Sequence, residues 1–182
     1  MVCVDRQRCR PDNEFQYRAQ RAFRQVMADA VDELGLDRGG WVTSPGGDGA
    51  LAVLPPGVAG PRLVGDLVFA VDRLLAAVNE DRPVDARVRG RIAIHEGPVH
   101  LDGAPGFPGS GVVTVIRLID APAVQVALRD RPAANVALIV SGQIYENLVL
   151  AYGRPRPDRF VRVDVSLDVA QQAWIFVPDG GA

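Results

Sequence analysis

The chain has no lysine: all 20 of its basic residues are arginines. No lysine is therefore available to contact a base, a phosphate or a carbonyl. Cysteine is nearly absent as well. Cys3 and Cys9 stand alone, and one such pair fits neither a zinc site, which needs four ligands, nor a disulfide framework. They read as reduced thiols of a cytosolic protein. His95 and His100 are the only histidines. Five residues apart on one strand they would face opposite ways, so they cannot share a metal. Aromatic residues make up only 6%, and Trp41 and Trp174 read as core or dimer contacts, not as base-stacking platforms. No apolar run approaches the roughly 20 residues of a membrane span, and the N-terminus lacks a basic region followed by an apolar one. A net charge of −2 provides no general attraction to nucleic acid or anionic membrane. The expectation is a soluble, cytoplasmic protein with neither nucleic acid nor membrane as a partner.

The 182 residues, 48% apolar and 23% charged, suffice for one domain with a sizeable core. That domain is expected over 1–178, with a frayed tail over 179–182. Val2-Cys3-Val4 reads as a first strand. Asp12-Asn13 offers an N-cap to a helix whose apolar residues recur from Phe15 to Leu34, and Gly35 closes it. A hairpin follows over 40–55. A second amphipathic helix carries Leu63, Leu67, Val71, Leu74, Leu75 and Val78 on one face. Val88 to His100 reads as one long strand. A Gly/Pro-rich loop leads into a third helix, divided at Pro122, with Asp120 placed to cap its second half. A strand over 135–140, a short helix over 142–150 and two final strands near 160–165 and 173–177 complete the order. This predicts an α+β sandwich with a ferredoxin-like, mostly antiparallel sheet and helices packed on one face.

The richest local signal is Gly46-Gly47-Asp48-Gly49, between Trp41-Val42-Thr43 and Ala50-Leu51-Ala52-Val53-Leu54. It reads as a glycine turn joining two short strands and projecting one carboxylate. Asp5 ends the first strand and projects another. Aspartates at the ends of neighbouring strands can share divalent ions, and ions held so commonly serve phosphate chemistry. Each acid alone also has a bland explanation: Asp-Gly turns form for backbone reasons, and an aspartate after a strand can cap a helix. A further stretch, Arg154-Pro155-Arg156-Pro157 with Arg159 and Arg162, reads as a loop and strand edge that could dock an acidic protein partner.

Downstream, Arg91-Ile92-Ala93-Ile94-His95-Glu96-Gly97-Pro98-Val99 is followed by Gly109-Ser110-Gly111-Val112-Val113-Thr114-Val115-Ile116-Arg117-Leu118. With the two aspartates, this resembles the catalytic domain of class III nucleotidyl cyclases, the adenylate and guanylate cyclases. The resemblance runs from Val2 to about Leu150, and is nearest to stand-alone cyclase-like domains of actinobacteria, in which the arginine helix continues into Leu-Ile-Asp-Ala-Pro. It implies that Asp5 and Asp48 hold two Mg²⁺ or Mn²⁺ ions, which neutralise the triphosphate of ATP or GTP and activate the ribose 3′-hydroxyl. It implies that Arg117 meets the phosphates in the transition state. Substrate contacts are expected from Arg6 and Gln7 in the turn after Asp5, from Gly47, and from Thr114. It also implies a head-to-tail homodimer, with the aspartates of one copy facing the arginine helix of the other.

Several matching positions depart from the family pattern. The phosphate-gripping turn, normally Ile-x-Gly-Phe, reads Arg6-Gln7-Arg8-Cys9. Val113 stands where an asparagine holds the ribose, and Thr114 would replace it only through a register shift. Base-reading positions fall at Ser44 and near Gly106. Losing one well-placed polar contact in a closed site costs about 10²–10³ in rate. The resemblance therefore implies a degenerate cyclase domain, binding nucleotide or metal at a homodimer interface in a signalling or regulatory role. An active cyclase is the alternative. A second alternative is a diguanylate cyclase-like protein, suggested by Gly46-Gly47-Asp48, although Gly49 and Ala50 stand where that loop needs an acid and an aromatic.

Overall fold

The structure, a computed structural model, describes residues 1–7, 12–46, 49–58, 60–101, 107–166 and 171–180. Gly47, Asp48, Arg8, Cys9 and Gly106 lie outside the described residues. Strand β1 (Val2–Arg6) leads into helix α1 (Asn13–Glu33) and a hairpin of β2 (Val42–Pro45) and β3 (Gly49–Val53). A wide π turn (Arg62–Asp66) opens α2 (Leu67–Asn79), and β4 (Gly90–Ile94), α3 (Ser110–Asp120), α4 (Pro122–Arg129) and β5 (Val136–Ser141) follow. A helical segment then runs through Gly142–Ile144, Tyr145–Val149 and Leu150–Tyr152, before β6 (Val161–Val165) and β7 (Gln171–Phe176).

The strands form one sheet in the order β2-β3-β1-β4-β5-β7-β6. Every pairing is antiparallel except β4 with β5. That parallel pair requires a crossover, and α3 and α4 supply it. The sheet is thus mostly antiparallel, as expected, but its helices lie on both faces. Alternation along the strands feeds two cores: Val2, Ile92, Ile94, Leu138 and Val140 pack with α1 and α2, whereas Cys3, Ala93, Ala137 and Ile139 pack with α3 and α4. The expected one-sided cover fails because β4 and β5 are buried at every residue, and a strand buried on both faces needs a layer on each.

Three local differences have physical causes. Asp12 caps α1 by accepting from the Glu14 N–H at 3.0 Å, but Asp120 caps nothing: α4 starts after Ala121 without a side-chain cap, its first N–H already removed by Pro122. The long strand expected over 88–100 stops at Ile94, where the chain turns through Gly97 and Pro98. Residues 110–129 have the length and apolarity of a membrane span, but half of that stretch is buried in the fold and Pro122 divides it.

A buried polar network fixes the entry to β4 and β5. The Asp72 carboxylate accepts from the Asn135 backbone at 2.9 Å. Asn79 donates to Val88 O and to Asn135 Oδ1, each at 2.8 Å, and accepts from the Val88 N–H at 2.7 Å. Trp174 stacks on Tyr145 with ring centroids 4.5 Å apart, a packing role consistent with its sequence reading. The basic stretch is engaged within the chain: Arg154 pairs with Asp66, Arg156 with Asp158, and Arg159 with Asp179.

Candidate functional site

Asp5 lies near the end of β1, between β3 and β4, opposite Gly49 on one side and Arg91 on the other. Alternation sends its side chain to the α3 face with Cys3, and sends Arg6 with Val2 and Val4 to the α1 face. The approach of β3 is unusually close. A Cβ on Gly49 would sit 2.0 Å from Val4 O and 3.0 Å from the Asp5 Cα. Only glycine lets β3 press this closely on β1, and Gly49 at the start of β3 therefore lies beside Asp5.

Across the other ladder, Arg91 donates through Nη2 to Asp5 Oδ2. The pair is largely enclosed, with 10% of the Arg91 side chain and 23% of the Asp5 side chain exposed. Arg91 Nη1 also donates to Ile119 O, in the last turn of α3, at 3.0 Å. One guanidinium thus joins the β1 carboxylate to the negative end of a helix. The neighbouring Cys3 thiol is pushed up to about 12 by burial and then by the charges of Asp5 and Asp120. It stays protonated and is no nucleophile.

The other expected site residues separate into distinct groups. Arg6 is only 1% exposed and donates to Gln16 Oε1 and to Gln7 O, so its charge is turned away from Asp5. Gln7 extends the ladder by donating its N–H to Arg89 O at 2.8 Å. Arg117 is half-buried on α3. Val113 and Ile116 are 49% and 42% exposed, so with Arg117 they form an outer stripe at helical spacing. Thr114 is 9% exposed, and its hydroxyl donates to Ser110 O at 2.9 Å. It cannot stand in for an asparagine at position 113. Ser44, on β2, sits opposite Leu51.

At the far end of the same strands, His95 follows β4. Its Nδ1 is 2.9 Å from Ser141 Oγ. Burial, with the Met1 ammonium nearby, lowers its pKa to about 4, so it is neutral at pH 7. Gly97 then crosses the first turn of α3. A Cβ there would lie 3.1 Å from the Gly111 Cα, and one on Gly111 would lie 2.9 Å from the Gly97 carbonyl carbon. The Gly111 N–H donates to Pro98 O at 3.1 Å. The His-x-Gly-Pro-Val turn therefore seats α3.

Sequence reasoning missed the role of Arg91. It was visible as part of a motif, but its partner is 86 positions away and becomes evident only once β1 and β4 are paired. As for metal chemistry, no group of three or more His, Cys, Asp or Glu residues that could hold an ion occurs among the described residues. Asp5 is a carboxylate oxygen donor of the type that suits a hard divalent cation.

No family model matches this chain, and no curated protein matches it. Solved structures do. An adenylate/guanylate cyclase/hydrolase from Silicibacter pomeroyi is similar at a TM-score of 0.63 and 16% identity, over 98% of this chain and 96% of that one. A non-canonical dimeric guanylyl cyclase domain of the RhoGC fusion protein from the aquatic fungus Blastocladiella emersonii matches at a TM-score of 0.58 and 14% identity, over 97% and 92%. The catalytic core of a rhodopsin-guanylyl cyclase with converted specificity, in complex with ATPαS, matches at a TM-score of 0.56 and 13% identity, over 97% of this chain and 93% of that one. At these identities the likeness is one of fold.

Proposed function

We propose that this chain, which has the class III nucleotidyl cyclase fold, is a cyclase-like domain that binds a nucleoside triphosphate with a divalent cation at the Asp5 end of the sheet and cyclises it poorly or not at all. Asp5 and Asp48 are the residues that would hold Mg²⁺ or Mn²⁺, whose charge would offset that of the phosphates. Arg117 would contact the phosphates, from α3 of a second copy. The exposed apolar pair flanking it, Val113 and Ile116, supports that face as a contact between copies in a homodimer. Signalling or regulation through nucleotide binding is the role this reading assigns.

The observation that carries the proposal is Val113. It faces solvent one turn before Arg117, where the resemblance places a ribose-holding asparagine, and the adjacent hydroxyl of Thr114 is turned inward. Valine offers no hydrogen bond, and a contact missing in the transition state slows the chemical step without abolishing ground-state binding.

The test is incubation with ATP or GTP and Mn²⁺, with cyclic product read by mass spectrometry and nucleotide binding read by thermal melting. The expected result is a raised melting temperature with at most a trace of product. Substantial product that disappears in Asp48→Ala would establish the active-cyclase alternative. Neither product nor a melting shift would reject both readings.

A further inference from the structure

We infer that Arg91 is the resident counter-ion of Asp5, a positioning residue through which cation loading at Asp5 is coupled to the seating of α3. The inference rests on the reading of Asp5 as a cation ligand and concerns how that site is regulated. Arg91 is directly across the ladder from Asp5 and is 8% exposed overall. Its two terminal nitrogens serve different elements, Nη2 the Asp5 carboxylate and Nη1 the Ile119 carbonyl at 3.0 Å. Its Nε is buried without a hydrogen-bond partner among the described residues, so these two contacts define its position.

The consequence follows from charge. A divalent cation on the Asp5 carboxylate must share it with a guanidinium already bound to Oδ2, and the two positive groups repel across a largely enclosed space. Binding therefore weakens the hold of Arg91 on Asp5. Since the same guanidinium also engages the last turn of α3, the disturbance reaches the helix that carries Val113 and Arg117. The converse also holds by linkage: moving α3 alters the cation affinity of Asp5. Repulsion by Arg91 acts on cation affinity directly, whereas the coupling to α3 is carried by its contact with Ile119 O.

The test uses the full chain and Mn²⁺ alone, with free Mn²⁺ read by electron paramagnetic resonance. In Arg91→Met the repulsion is gone, and Mn²⁺ should bind about tenfold more tightly or better. Arg91→Lys keeps the charge and should remain nearer to wild type than to Arg91→Met. Asp5→Asn should remove the binding in either background. Equal or weaker binding by a folded Arg91→Met protein overturns the inference while leaving the nucleotide reading intact. Binding unaffected by Asp5→Asn, or absent from every variant, overturns the cation reading of the site itself. Should Arg91→Met fail to fold, wild-type NMR decides. Mg²⁺ should shift the Asp120 amide, which shares its peptide group with Ile119 O, together with the amides around Asp5. A titration that moves only the residues around Asp5 contradicts the coupling.

Discussion

Strands β1 and β4 carry a titratable residue at each end of their shared ladder, and the two ends treat them differently. At one end Asp5 is paired with Arg91 and keeps 23% of its side chain exposed. At the other end, beyond the Val2–Ile94 pair, His95 is turned to Ser141 and held neutral. A charged group stabilised by an opposite charge, and still reachable, can meet an ionic ligand. A neutral imidazole held by a hydroxyl carries no charge with which to attract one. Both ends touch α3, the first through Arg91 at its C-terminal turn and the second through Gly97 and Pro98 at its N-terminal turn. The helix is thus anchored by packing at one end and by charge at the other. Only the charged anchor can respond to a ligand.

The largest effect should come from breaking the geometry of the Asp5 end. Gly49→Val would drive its Cβ into Val4 O and should separate β3 from β1, costing about 3 kcal/mol or more in urea unfolding. An equivalent change in the exposed turn at Gly57, which has nothing within 4 Å, should cost less, limited to the strain of its φ of 88°. Asp5→Asn should come next. It leaves the guanidinium of Arg91 enclosed without its carboxylate and should cost about 2 kcal/mol, less than a fully buried pair because Asp5 remains partly solvated.

The His95 end predicts a pH effect of defined sign. Its folded pKa, about 4, is below the ordinary value of 6.5, so between those values the unfolded chain binds a proton that the folded chain does not. Its contribution to stability is full above about pH 6.5 and is lost as pH falls toward 4. Melting curves from pH 7 to pH 5 should therefore fall less steeply in His95→Gln than in wild type. The smallest stability effect belongs to Val113→Asn. The side chain is 49% exposed, so unfolding should change by no more than about 0.5 kcal/mol, while nucleotide binding or turnover should rise if the ribose contact is restored. An unchanged nucleotide response would remove Val113 from the explanation of weak catalysis.

Much of this was legible in the chain because the signals were local. Asp12 capping α1, the apolar spacing of α1 and α2, and the break at Pro122 depend on neighbours a few residues away. The resemblance drawn from Asp5, the glycine hairpin and the His-x-Gly-Pro-Val turn led to the right fold. What escaped depended on long-range pairing. That helices cover both faces of the sheet follows from β4 and β5 lying parallel at its centre, which a list of elements in order does not reveal. Thr114 could be weighed as a substitute for asparagine until the helix phase turned it inward. Arg6, acidic-site chemistry in mind, looked available until alternation along β1 carried it to the opposite face. Arg91 could be read as a motif letter, but its meaning is its register against Asp5.

The central claim is that the Asp5 end of the sheet binds a nucleoside triphosphate. Thermal melting of wild type and Asp5→Asn, each with and without ATP or GTP and Mg²⁺, tests it most directly. A melting temperature raised by nucleotide in wild type, with the increment lost in Asp5→Asn, is the predicted result. No increment in wild type, or the same increment in both proteins, would contradict it.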